Sequence, residues 1–230
     1  EYIHLNDVDP RVAAFWSAVL YEPDLLCRLI SGVSLTIHEW DKQRLVLTEP
    51  KDRSNLEIAF ATLFMNRTNR SGILNGGMIG GRSQNGEWRL DARFNRNTLI
   101  RKITAIAALS ERITIYNLDA RDFLRRVVCN LGAKTLVYLD PPYYKKGQEL
   151  YENHYAHEDH EKLASTLFES ASYSWFASYD NTPQIRSIYE GYRALPYDLS
   201  YSAGKPITGK EILFFDSSLK VPAIPSPLAA

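Results

Sequence analysis

Leu136-Val137-Tyr138-Leu139-Asp140-Pro141-Pro142-Tyr143 joins an apolar run to a polar, proline-containing tetrapeptide. The apolar run is typical of a short buried strand. The two prolines end that strand, because neither has an N–H to donate to a ladder. Ligands of open α/β sheets bind outside the carboxyl ends of the strands, so we expect a site at residues 140–143. For the tetrapeptide taken alone, a simple strand-ending turn is the alternative.

The rest of the chain alternates predicted strands and helices, which indicates an α/β fold with a mostly parallel sheet. Strands are predicted at residues 2–5, 114–116, 136–139, 173–178, 192–201 and 211–215. Helices are predicted from Pro10, at 24–30, 55–65, 98–110, 122–128, 158–171 and 184–189. The last two strands have no helix between them, so we expect them to form an antiparallel hairpin.

Composition sets broad limits. The 230 residues are 45% hydrophobic, carry a formal net charge of zero and include two cysteines. This length suits one large domain, or one domain with an insertion. No apolar run reaches the roughly 20 residues that a membrane helix needs. The two cysteines have no metal-type spacing and read as reduced thiols, so we expect a cytoplasmic protein.

One stretch, residues 66–102, is strongly basic although the whole chain is neutral. It holds eight Lys or Arg residues against Glu87 and Asp91, and it is rich in glycine. Such an excess suits contacts with DNA phosphates, and Arg and Asn side chains also recognise guanine and adenine edges. A solvated basic loop is the alternative for any single arginine.

The tetrapeptide has the groups needed to methylate an exocyclic amine. The lone pair of adenine N6 is delocalised into the ring, which makes this nitrogen a poor nucleophile. A carboxylate and a backbone carbonyl that accept its two N–H groups would free the lone pair. An aromatic fourth residue offers a face on which a base turned out of its duplex can stack.

The chain resembles the Dam-type (D12 class) DNA adenine methylases, in which Asp-Pro-Pro-Tyr is the catalytic motif. The supporting segments are residues 2–9, 63–68 with Gly72, 119–123, Tyr155 with 159–163, and 178–181. Their order and spacing agree with the family over roughly residues 2–216. The resemblance implies a Rossmann-like methyltransferase sheet that uses S-adenosylmethionine, with an inserted, mainly helical target-recognition region.

The resemblance also assigns roles to residues. Asp140, Pro141, Pro142 and Tyr143 form the catalytic motif, with Tyr143 stacked on the flipped adenine. Asp7 would bind the ribose of the cofactor, Asp122 and Phe123 would lie beside its adenine, and Asp140 would be shared between cofactor and target. Asp122 as a helix cap is the alternative. DNA contacts fall on Asn66, Arg67, Arg70, Arg82 and Arg96.

The predicted organisation is a catalytic domain of residues 1–30 and 97–220, a target-recognition insertion of residues 31–96, and a tail of residues 221–230. We expect double-stranded DNA as the partner. A bacterial or phage enzyme of host modification or of a restriction–modification pair is the expected setting.

The chain departs from the family at one point, and it leaves alternative functions open. The family's Phe-x-Gly-x-Gly turn precedes its second strand, and the glycines at 76–77 and 80–81 do not replace it, so we expect these 230 residues to bind the cofactor weakly or not at all. Cytosine-N4 methylation, or a non-catalytic DNA-binding subunit with this fold, are the alternative functions. His154, His157 and His160 suggest a metal site as an alternative, but the chemistry needs no metal and we predict none.

Overall fold

The computed structural model describes residues 1–145, 155–169, 173–201 and 207–220. The chain divides into two compact units: the first is Glu1–Leu118, and the second begins at Asp119. Each unit is described separately. The predicted tail at 221–230 lies outside the described residues.

Helices make up most of the first unit. They are α1 (Pro10–Tyr21), α2 (Pro23–Gly32), α3 (Ile37–Thr48), α4 (Asn55–Thr68) and α5 (Arg96–Ala107). Asp9 caps α1 by accepting the N–H of Arg11, and Pro10 occupies the first helical position, as predicted. Ser54 and Glu57 form a capping box that starts α4.

The helices of this unit share one apolar core. Helix α4 contacts α1, α2 and α3, and α2 contacts α5. Phe64 and Met65 of α4 are fully buried in this core, as are Leu26 and Ile30 of α2. Helix α3 has no counterpart in the sequence prediction, because its buried face includes the polar Gln43 while the apolar Leu45 is exposed, which obscures the apolar periodicity.

A short parallel pair of strands completes the first unit. Strand β1 (Ile3–Asn6) pairs with β2 (Ile113–Tyr116), with Ile3 opposite Ile113 and Asn6 opposite Tyr116. Asp7 follows β1 directly, so it lies at the carboxyl end of that strand. This is the position at which α/β sheets bind ligands.

The segment between α4 and α5 consists mainly of turns, as its glycine content predicts. It includes 3₁₀ turns at Arg70–Gly72 and Leu90–Arg93. Gly80 has a φ of 79°, and a Cβ there would lie 2.7 Å from the carbonyl oxygen of Trp88. Only glycine fits this close approach.

The second unit contains a four-stranded sheet in the order β3-β4-β6-β5. Its described strands are β3 (Leu136–Leu139), β4 (Ser174–Asp180), β5 (Arg193–Tyr201) and β6 (Ile207–Phe215). Strands β3 and β4 are parallel, whereas β4–β6 and β5–β6 are antiparallel. The predicted C-terminal hairpin is therefore confirmed. A mostly parallel sheet is not confirmed, because this sheet is mixed.

Three helices of the second unit lie among its described residues. They are α6 (Ala120–Arg126), α7 (His157–Phe168) and α8 (Pro183–Ile188). Leu163 and Leu167 of α7 and Ile185 of α8 are fully buried against apolar side chains of the sheet such as Phe214. No described helix is both long enough and apolar enough to cross a membrane.

Candidate active site

The tetrapeptide lies where the sequence predicts it, at the carboxyl end of β3. Asp140 is exposed, Pro141 is buried, and Pro142 and Tyr143 are half-buried. Leu139, the last residue of β3, pairs with Ala177 of β4. This parallel register brings the end of β4 beside the tetrapeptide.

Ser178 of β4 holds the side chain of Asp140. Its hydroxyl donates a hydrogen bond of 2.7 Å to Oδ1 of Asp140. Ser178 is buried, and its Oγ also lies 2.9 Å from the hydroxyl of Tyr138. Ser178 therefore holds one oxygen of the Asp140 carboxylate, while Asp140 as a whole stays exposed to solvent.

Asp180, two residues further along β4, holds the backbone that follows the tetrapeptide. Its carboxylate accepts the main-chain N–H of Tyr144 at 2.7 Å and that of Lys145 at 2.9 Å. Asp180 is buried. Charge-assisted bonds to a buried carboxylate are strong, so the backbone leaving Tyr143 is firmly placed.

Glu211 of β6 contacts the fourth residue of the tetrapeptide. The hydroxyl of Tyr143 donates to Oε1 of Glu211 at 2.7 Å, and the hydroxyl of Tyr197 donates to Oε2 at 2.7 Å. Glu211 is only 3% exposed. Burial, followed by the contact with Glu211, raises the pKa of Tyr197 well above its ordinary value.

A cluster of rings lies behind the tetrapeptide. His160 is fully buried, and the centroid of its ring lies 5.3 Å from those of Tyr144 and Tyr155 and 5.7 Å from that of Tyr179. Neither ring nitrogen of His160 has a hydrogen-bond partner among the described residues. Burial lowers the pKa of His160, opposed by the charges of Asp180 and Asp159, and burial also raises the pKa of Tyr155 to about 12.

The histidines that suggested a metal site have other surroundings. His157 lies 3.1 Å from the hydroxyl of Tyr144 through Nδ1 and 3.3 Å from Glu161 through Nε2. His154 lies outside the described residues. Within the described part of the chain, no group of three or more His, Cys, Asp or Glu side chains is arranged to hold a metal.

Asp7, the predicted ribose ligand, has a half-buried carboxylate at the end of β1. Its Oδ1 accepts the N–H of Asp9 at 2.8 Å. Its backbone carbonyl accepts a hydrogen bond of 2.8 Å from the side chain of Asn117. Burial raises the pKa of Asp7, and the nearby charge of Asp9 adds to the effect while the Asp9 N–H opposes it. Asp9 caps α1, so the two acids have different roles.

Asp122 and Phe123, predicted to lie beside the cofactor adenine, belong to the first turns of α6. Asp119 caps this helix, so the alternative role of Asp122 as the cap is wrong. Asp122 lies 3.6 Å from Arg126 in an exposed ion pair. Phe123 is half-buried and packs against the core of the second unit.

The residues predicted to bind DNA differ sharply in their surroundings. Asn66 donates to the carbonyl of Gly72, and Arg67 donates to the carbonyl of Arg93 at 2.9 Å. Burial lowers the pKa of Arg67. Arg96 donates to the carbonyl of Val33 at 2.6 Å.

The two remaining arginines of this set are exposed. Arg82 forms a two-pronged ion pair with Asp41, at 2.9 and 2.8 Å. Arg70 lies at the start of the 3₁₀ turn that follows α4. These two arginines present their charges at the surface of the first unit, whereas Arg67 and Arg96 brace its fold.

Sequence reasoning assigned no role to Ser178, Asp180 or Glu211. The first two fall in a segment that resembles the family, but the motif does not say what they touch. Glu211 carried one signal that was not used: it is an acid directly before the apolar run Ile212-Leu213-Phe214-Phe215. Charged residues are seldom fully buried unless they are paired, so an acid at such a position indicates a specific partner.

Two comparisons with known proteins bear on this site. The family model described as D12 class N6 adenine-specific DNA methyltransferase matches residues 4–202. That range includes the whole tetrapeptide, the strand β3 that it follows and the neighbouring strand β4. No curated protein matches the chain.

Proposed function

The chain belongs to the family of D12 class N6 adenine-specific DNA methyltransferases, and we propose that Asp140, Pro141, Pro142 and Tyr143 perform its chemistry. It is an enzyme that transfers a methyl group to N6 of adenine in DNA. The observation that carries the assignment of the site is the exposed Asp140 carboxylate at the end of β3, held at Oδ1 by Ser178.

Asp140 acts as an acceptor for the amine of the target adenine. Its carboxylate accepts one N6–H group, and a backbone carbonyl of the Pro141-Pro142 pair accepts the other. Both bonds draw the nitrogen toward a tetrahedral geometry and free its lone pair for attack. Because the attack must be in line with the bond that breaks, correct placement of the amine supplies much of the rate acceleration.

Tyr143 receives the adenine ring. A base inside a duplex is out of reach of such a site, so the enzyme turns it out of the stack and pays the unstacking energy. Stacking on an aromatic face recovers part of that cost, roughly 1–3 kcal/mol per base in proteins that bind single strands. The substrate proposed is therefore adenine in double-stranded DNA, reached by base flipping.

Methyltransferases of this kind generally use S-adenosylmethionine, which supplies a methyl group activated on a sulfonium. The proposed ligands for it are Asp7, Asp122, Phe123 and Asp140. The chemistry of Asp7 fits a ribose, because a half-buried carboxylate at the end of a strand accepts hydrogen bonds from hydroxyl groups. Asp122 fits less closely, since it pairs with Arg126.

DNA binding is proposed for Asn66, Arg67, Arg70, Arg82 and Arg96, within a target-recognition region of residues 31–96. Arg70 and Arg82 are the members whose exposure suits direct phosphate contact. The catalytic part, residues 1–30 and 97–220, is proposed to have a Rossmann-like arrangement.

Transfer of a radioactive methyl group from labelled S-adenosylmethionine to unmethylated duplex DNA tests this function. We expect label in N6-methyladenine with wild-type protein that also carries the family's glycine turn, and a loss of about 10²–10³-fold in rate for Asp140→Asn in the same protein, as for other removed transition-state contacts. The control is Glu190→Gln, which changes an exposed carboxylate of the same unit. Label in cytosine would favour N4 methylation, and no label from folded protein would favour a non-catalytic subunit.

A further inference from the structure

We propose that Glu211 is a positioning residue for Tyr143, whose ring it holds in place together with Tyr197. The inference rests on the proposed function, in which Tyr143 stacks on the target adenine. Glu211 itself does not touch the substrate in this proposal. Its effect on the reaction passes through the hydroxyl of Tyr143.

The sheet places Glu211 between the two groups that it connects. In β6 it pairs directly with Asp180 of the neighbouring β4 and with Tyr197 of β5 on the other side. Residues directly opposite each other in a sheet project their side chains from the same face. One face therefore carries Asp180, Glu211 and Tyr197 side by side, and the first two both bind the tetrapeptide region.

Two buried acids in adjacent positions are costly for the fold. A buried carboxylate loses its water, and two like charges directly opposite each other in a sheet repel. Apolar side chains would pack at these positions without either cost. The two acids stand where their oxygens reach residues 143–145. That coincidence favours placement of this loop as their role.

The bond to Glu211 restricts Tyr143 in a way that suits stacking. Fixing the phenol oxygen fixes the direction of the ring axis. A phenol O–H also lies in the plane of its ring, so a carboxylate acceptor favours one ring plane over others. The bond of Tyr197 to the other oxygen of Glu211 holds the carboxylate in turn. The base would therefore stack on a Tyr143 ring that is already oriented. Less conformational entropy of this side chain is then lost during the reaction.

The test compares Glu211→Gln, Tyr143→Phe and the double variant in the methyl-transfer assay, with Asp198→Asn as the control. Asp198 is an exposed carboxylate next to Tyr197 on β5, and its side chain projects from the opposite face of the sheet. We expect each single variant to lower kcat by about 10-fold with little change in KM for DNA, since placement affects only the reaction step. The double variant should lose no more than Tyr143→Phe alone, because Glu211→Gln weakens the same bond that Tyr143→Phe removes.

Additive losses in the double variant, or a wild-type kcat in Glu211→Gln, would overturn the inference. If Glu211→Gln does not fold, Tyr143→Phe decides the question, because it removes only the hydroxyl group. A wild-type kcat in that variant is then the overturning result.

A second measurement separates this inference from the proposed function. In protein with ¹³C-labelled tyrosine rings, the signal absent from Tyr143→Phe identifies Tyr143. We expect this signal to shift or broaden in Glu211→Gln and to stay unchanged in Asp198→Asn. A wild-type protein that transfers no methyl group to adenine refutes the proposed function, whereas an unchanged Tyr143 signal in Glu211→Gln refutes the positioning role in either case.

Discussion

The end of the sheet in the second unit and the basic segment of the first unit use their polar residues in opposite ways. At the sheet, Ser178, Asp180 and Glu211 each form at least one hydrogen bond with the same segment, residues 140–145. In the basic segment, three arginines bind three separate partners: Arg67 and Arg96 donate to different carbonyls, and Arg82 pairs with a carboxylate.

This difference bears on how charge in a sequence is interpreted. Convergence on one short segment means that the polar groups cooperate to place it, which is what a reacting centre needs. Separate partners mean that some of the arginines, such as Arg67 and Arg96, stabilise the fold of the first unit. The number of basic residues in the segment therefore exceeds the number whose charge is exposed at its surface.

The largest expected effect that tests this contrast comes from Asp180→Ala. The change removes the buried carboxylate that accepts the N–H groups of the half-buried Tyr144 and the exposed Lys145. We expect the free energy of unfolding to fall by about 2–4 kcal/mol, since both bonds are charge-assisted. Urea denaturation measures this, with Glu190→Gln expected within about 0.5 kcal/mol of wild type. If Asp180→Ala lowered the free energy of unfolding no more than Glu190→Gln, the hydrogen bonds that Asp180 accepts from residues 144 and 145 would not stabilise the loop.

A smaller effect should separate two arginines only three residues apart. Arg67→Gln removes a bond from a charged group to the Arg93 carbonyl, so it should lower the free energy of unfolding by about 1.5 kcal/mol. Arg70→Gln should leave stability unchanged and reduce the salt dependence of DNA binding by about one phosphate contact.

Denaturation together with filter binding at several salt concentrations makes this comparison. If Arg67→Gln kept the stability of the wild type and lost as much DNA affinity as Arg70→Gln, both arginines would bind DNA. That result would contradict the separate roles expected for them.

The smallest expected effect concerns the pH dependence of stability at the ring cluster. Burial lowers the pKa of His160 below its ordinary value of 6.5, so the unfolded chain takes up the proton first. The stabilising contribution of a neutral His160 is thus complete above pH 6.5 and is lost as the pH falls below it.

Between pH 7 and pH 5.5 the wild-type protein should lose about 1 kcal/mol more than His160→Phe, measured by denaturation at each pH. His38→Gln, at an exposed position of the first unit, should follow the wild-type curve. Identical pH profiles for wild type and His160→Phe would show that this ring is protonated equally in both states.

Local rules account for the elements that sequence reasoning placed well. The bounds of β3 were predicted residue for residue, because two prolines stop a strand wherever they occur. The start of α1 was predicted from Asp9 and Pro10 for a similar reason. Helix α3 was missed, since the face that it buries includes the polar Gln43 and the apolar Leu45 is exposed, so its apolar residues do not mark one stripe.

The identity of the chemistry was already contained in the amino-acid sequence. A carboxylate, two prolines and an aromatic residue after an apolar run predict a site for an amine and a base, and the family match confirms adenine-N6 methylation, the reaction that the resemblance implied. These features act within a few residues of each other, so their meaning does not depend on how distant parts of the chain pack.

The supports of the site became visible only in the folded chain. Glu211 is 68 residues from Tyr143, and Ser178 is 38 residues from Asp140. These pairs meet because β4 and β6 are neighbours in the order β3-β4-β6-β5, with Asp180 opposite Glu211. Strand order and register arise from the packing of the whole sheet. The sequence therefore gives no local signal for a hydrogen bond between strands, except for an acid such as Glu211 directly before an apolar run.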